Sequence, residues 1–162
     1  MLLETQKKDL GFELMTPTEQ SVISLNGTLG TSLILSDVKG NPQVLLLAVP
    51  KVFGTLLFSI ALKDAAAGSK NLMSTKVQVF ILPPGIKSPI ILASADLTIE
   101  TDDANKIKRV DVAEGDIQDR KKIDWGHFVD CVWSNCKLDC LVSRIWCLFC
   151  VGSCVYDSIT EE

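Results

Sequence analysis

The chain has 162 residues, 47% of them hydrophobic and 22% charged, with a net charge of −4 and a pI near 5.0. A length of this kind fits one domain, or one domain with a short appended module, and the apolar content is too high for a disordered chain. The acidic balance removes the cationic footprint on which nucleic-acid binding depends, so no nucleic-acid partner is expected.

Residues 1–20 read as an N-terminal extension. Glu4, Lys7, Lys8 and Asp9 stand where a secretory signal would carry an uninterrupted apolar run, so no Sec signal is recognised there. From residue 21 to about 115 the pattern changes to short β-rich runs separated by turn residues, which predicts an antiparallel β domain, a small sandwich or barrel of six to eight strands.

The runs "SVISL" and "TSLILSD" flank Asn26-Gly27, a pair suited to a tight hairpin because both residues tolerate positive φ. "QVLLLAV" follows "KGNP". The most apolar stretch, Val44 to Leu62, is long enough to span a bilayer, but Pro50, Lys51 and Gly54 sit at its middle, so it reads as two buried strands around a turn. "AAAGSKN" reads as a loop or one helical turn. "KVQVFIL" and "SPIILASADLTIE" are joined by Pro83-Pro84-Gly85, a hairpin in which proline fixes one φ and glycine supplies another. "KIKRVDV" supplies the last strand. Asp102, Asp103 and Asn105 lack the glycine and distal glutamate of a calcium loop and read as a solvated turn. Residues 116–124 form a charged linker.

The module at 125–162 is of another kind. All six cysteines fall between Cys131 and Cys154, and the preceding 130 residues contain none. After Asp124, a residue suited to an N-cap, the spacing is helical and free of proline. Two geometries compete. In one continuous helix, Cys136, Cys140, Cys147, Cys150 and Cys154 share an arc of about 80°, as in an a/d seam. In a helical hairpin, Cys140 with Cys147, Cys136 with Cys150 and Cys131 with Cys154 nest about a centre between Ser143 and Arg144. Fifteen connectivities are open to six cysteines, so the nest is a preference of geometry. An oxidising environment favours the hairpin, and a reducing, cytoplasmic one favours a bent or continuous helix.

A module of this size holds together poorly without a staple. It is also unusually apolar. Trp133, Trp146, Leu148 and Phe149 are the candidate membrane-insertion or docking face, with either a target membrane or the protein's own β domain as the partner. Metal binding is the competing use of the cysteines: His127 and Cys131 are four apart, and Cys147 and Cys150 make one C-x-x-C. The second pair and the glycine-bearing knuckles of a structural zinc site are missing, so neither a metal nor another cofactor is expected. The βαβ context of a redox C-x-x-C is absent, and no acid–base pair, phosphate loop or triad spacing points to an enzyme.

A cysteine-free β-rich region followed by an apolar cassette carrying "CVWSNCKLDC" and "CLFCVGSC" resembles the halocin C8-like and fulvocin C-like bacteriocin family. That resemblance implies a secreted antimicrobial precursor, in which the cysteine-rich C-terminal peptide acts on membranes and the upstream region is a propiece or immunity domain. The alternative class is a non-enzymatic interaction or structural protein, with the cysteine module as a docking or oligomerisation cap.

Overall fold

The computed structural model describes residues 10, 12, 15–25, 27–40, 42–52, 54–63, 72–86, 88–101, 107–114, 123–136 and 144–159. Seven strands precede two helices: β1 (Thr16–Leu25), β2 (Thr28–Ser36), β3 (Pro42–Lys51), β4 (Gly54–Lys63), β5 (Leu72–Leu82), β6 (Ile90–Thr101), β7 (Ile107–Glu114), α1 (Trp125–Asn135) and α2 (Arg144–Asp157). The strands form one antiparallel sheet in the order β1-β2-β3-β4-β5-β6-β7, so each pairs with its neighbours in sequence. The second layer over this sheet is the pair of helices.

Turn chemistry sets the register. Leu25 pairs with Thr28 across a turn in which Gly27 has φ 86°. The β5–β6 connection is closed by Ile86 N–H donating to Pro83 O at 3.1 Å, with Gly85 at φ 77°. Lys51 pairs with Gly54 between β3 and β4, and Gly54 is the position with least freedom. Its φ is 139°, and a Cβ there would meet Leu82 O at 2.6 Å, so any side chain would strain the backbone and collide with the neighbouring connection. The segment 65–71 and the acidic turn at 102–105 lie outside the described residues.

The strands differ in pattern because they differ in what covers them. β5 and β6 alternate: Val77 and Val79, and Ala93, Ala95, Leu97 and Ile99, are buried toward the helices, while the residues between them are exposed or half-buried. That is the period of a sheet with one covered face. β3 is buried continuously from Val44 to Val49 and is the first half of the apolar run Val44 to Leu62, which forms two strands around a turn as expected. Leu45, Leu47 and Val49 face the helices, and Val44, Leu46 and Ala48 join a second cluster on the opposite face. Leu10, Phe12 and Met15 pack on that second cluster. Part of the stretch read as an extension is therefore a cover, and β1 itself begins within that stretch, at Thr16. The edges are polar: Thr18, Glu19 and Gln20 are exposed on β1 and Lys108, Arg109 and Asp111 on β7, a composition that discourages edge-to-edge pairing.

Candidate functional site

The helical pair is seated on the sheet by its own sequence period. In α1, Trp125, Phe128 and Val132 are buried at spacings of three and four, and Trp125 and Phe128 meet edge to face with ring centroids 5.5 Å apart. In α2, Leu148, Val151 and Val155 repeat the pattern. These side chains belong to the same buried cluster as Leu47, Phe58, Ile60 and Leu97 of the sheet. α1 lies against β7, and α2 against β3 and β4.

Gly152 brings α2 close. A Cβ there would stand 2.8 Å from Leu47 Cδ1 and 3.5 Å from Leu45 Cδ2. Glycine inside a helix costs about 1 kcal/mol relative to alanine, and here the missing methyl is what lets the helix settle onto β3. Farther along α2, Tyr156 meets Phe58 edge to face at 6.1 Å, and its hydroxyl accepts a hydrogen bond from Lys51 Nζ at 2.9 Å.

Both ends of the pair are tied at one place. Asp124 caps α1, its Oδ1 accepting from His127 N–H at 3.0 Å. The Asp124 N–H donates to Ser158 O at 2.9 Å, and Ile123 bridges to Ile159. The start of α1 and the end of α2 thus meet in a short antiparallel clasp. The N-cap role expected of Asp124 is found, and His127 stands in the first turn of α1.

Two disulfides cross between the helices. Cys131 is joined to Cys154 and Cys136 to Cys150, with Cα atoms 5.6 and 5.7 Å apart. These are the two outer pairs of the nest and the hairpin solution of the two geometries. Cys147 is also disulfide-bonded, and Cys140 and the connection at 137–143 lie outside the described residues. The C-x-x-C of Cys147 and Cys150 is not closed on itself, because Cys150 bonds to Cys136. The Cys131 thiol that stood four residues from His127 is spent on Cys154.

The four residues expected to form one insertion or docking face do not share a face. Trp146 is 58% exposed and Trp133 38%, whereas Leu148 is 1% exposed and lies in the core. Phe149 is half-buried and packed against that core. The reason is helical phase: at about 100° per residue, Leu148 lies roughly 200° around the axis from Trp146, in line with Val151 and Val155. Leu148 thus docks on the protein's own sheet, the docking alternative of its expected role, and shares no face with Trp146. The surface aromatics of the pair are Trp133 and Trp146.

Sequence reasoning missed the Lys51–Tyr156 link, the covering role of Leu10, Phe12 and Met15, and the close approach at Gly152. The first joins positions too far apart for any local pattern. The last had a signal, a glycine in the middle of an apolar helix.

No helix among the described residues is long and apolar enough to cross a membrane. Comparison with known proteins finds no matching family model, no similar curated protein and no similar solved structure.

Proposed function

We propose that the chain is a bacteriocin-like precursor: a β sheet that sheathes a covalently self-contained helical hairpin, which acts on target membranes once freed. One observation carries this reading. Every cysteine lies within residues 131–154, so the disulfides tie the hairpin to itself and none ties it to the sheet. Staples so placed form no covalent link between the hairpin and the sheet. They preserve its shape when it is away from the sheet, where a module of under 40 residues lacks a core of its own.

Release would follow cleavage within the charged segment 115–122, "GDIQDRKK". It would uncover Phe128, Val132, Leu148, Val151 and Val155 together, converting a hidden apolar stripe into one that partitions into a bilayer interface. The oxidised state suits a secreted protein, since reducing compartments keep thiols free.

A second reading is favoured by a specific observation: one continuous buried cluster runs from Leu25 through the sheet to Val155. On that reading the hairpin is a permanent cap and the protein a non-enzymatic binding or structural module. A site-specific protease sequence introduced in the 115–122 segment of the full chain separates the two. Cleavage followed by dye leakage from lipid vesicles at micromolar protein, and by separation of the two pieces on size-exclusion chromatography, is the expected outcome. Pieces that stay together and leave vesicles intact would establish the cap.

A further inference from the structure

The two interhelical disulfides lie side by side. The Sγ atoms of Cys136 and Cys154, which belong to different disulfides, are 4.0 Å apart. Those of Cys136, Cys150 and Cys154 all lie within 4.8 Å of one another. Cys131 Sγ is bonded to Cys154 and so lies beside this group of three, outside its 4.8 Å circle. Cys136 and Cys154 are buried, and Cys131 and Cys150 are half-buried.

Such a constellation has a second use. A zinc-class ion held by four thiolates has metal–sulfur distances of about 2.3 Å, which places neighbouring sulfurs of the tetrahedron about 3.8 Å apart. The gap between Cys136 and Cys154 is already close to that edge. The two bonded pairs would have to part by roughly 1.7 Å each and Cys131 Sγ would have to swing toward the other three, displacements within the reach of side-chain torsions. An outer partner is also in place: Asn135 Nδ2 donates to Cys131 Sγ at 3.5 Å, the kind of hydrogen bond that orients and stabilises a ligating thiolate.

We propose that Cys131, Cys136, Cys150 and Cys154, once reduced, form a tetrahedral four-thiolate site for a soft divalent ion of the zinc class. The hairpin then has two alternative staples, a pair of disulfides when oxidised and one metal ion when reduced. This goes beyond the precursor reading and does not depend on it. The change balances with a dithiol as reductant: each disulfide takes two electrons, its S–S bond breaks to two thiols, and one dithiol closes to its own disulfide. Two dithiols therefore serve both bonds. The ion keeps its double charge and displaces four thiol protons to solvent. Cys147, although spaced C-x-x-C with Cys150, lies outside the three-sulfur group and is bonded to none of its members, whereas Cys131 is bonded to Cys154, so the site is chosen by the fold and not by the local motif.

The test uses the full chain, reduced anaerobically with a phosphine, desalted, and titrated with Co²⁺ and then Zn²⁺. One equivalent of Co²⁺ is expected to give the intense visible bands of tetrahedral thiolate coordination, and one equivalent of Zn²⁺ to remove them. Cys136→Ser and Cys150→Ser should each weaken Co²⁺ binding by at least roughly tenfold, while Cys147→Ser leaves it intact. In parallel, Zn²⁺ should slow alkylation of Cys131, Cys136, Cys150 and Cys154 by roughly tenfold or more and leave Cys147 unaffected. Absence of the tetrahedral spectrum, a stoichiometry other than one, equal loss in Cys147→Ser, or protection spread evenly over all thiols would each overturn the proposal. The last is the behaviour of a reduced chain that has unfolded into a general thiol chelator.

Discussion

The sheet and the helical hairpin solve the same problem by opposite means. Seven strands contain no cysteine and hold one another through six consecutive antiparallel ladders, with β3 buried on both faces. Two helices of 11 and 14 residues have few partners of their own, since isolated helices of that length are marginal in water. The covalent links are concentrated in the second region alone. Staples are found where non-covalent structure is thinnest, and the seam between the regions is left to apolar packing.

That contrast can be broken at the seam first. Phe128→Ala removes a fully buried ring shared by α1 and the core and should destabilise the protein by about 3–5 kcal/mol in denaturant unfolding. A loss under about 1 kcal/mol would mean that the hairpin is not part of the cooperative unit. Next comes the staple. Replacing Cys136 and Cys150 together by serine opens a bond with a sequence separation of 14, and loop-closure entropy puts the cost at about 3 kcal/mol. Hydrogen exchange should place that loss in α1 and α2 while the amides of β3 keep their protection.

Smaller effects sharpen the picture. Gly152→Ala trades better helix propensity for a methyl 2.8 Å from Leu47 Cδ1, and the clash should win, with a net loss of about 1–2 kcal/mol. A gain in thermal stability would show that α2 can lift off β3 without penalty. Within the sheet, Ser59 Oγ is buried with no hydrogen-bond partner among the described residues. Ser59→Ala should therefore leave stability unchanged or raise it by up to about 1 kcal/mol, because an unsatisfied hydroxyl is removed. Any marked loss would reveal a partner for that hydroxyl.

Much of the β region was legible because its turns are written in residues with narrow conformational demands. Gly27 and Pro83-Pro84-Gly85 mark hairpins that form as expected, and the strands between them follow from β-branched and apolar runs. The nested pairing of Cys131 with Cys154 and of Cys136 with Cys150 was legible from spacing, since antiparallel arms bring such positions opposite each other. The start of β1 was not, because "TPTEQ" is polar and carries no alternation. Nor was the second layer over the sheet: strand patterns report that a face is covered and say nothing of whether a sheet or a helix covers it. Leu148 was set on one face with Trp146 by counting apolar residues as a group, when their angular position on α2 separates the two.

The plain order of the sheet has a consequence in time. Each strand pairs with the one made just before it, so the sheet can be assembled progressively from its first hairpin, without waiting for a distant partner. The two described helices come after the seven strands in the chain, so their buried residues can meet a surface that already exists. The cysteines, borne by a segment that follows the sheet in the chain, can be positioned by that surface before they are oxidised. Of the fifteen ways to join six cysteines, a template already in place would favour those that the seated arms bring face to face, leaving the oxidant only to record the choice.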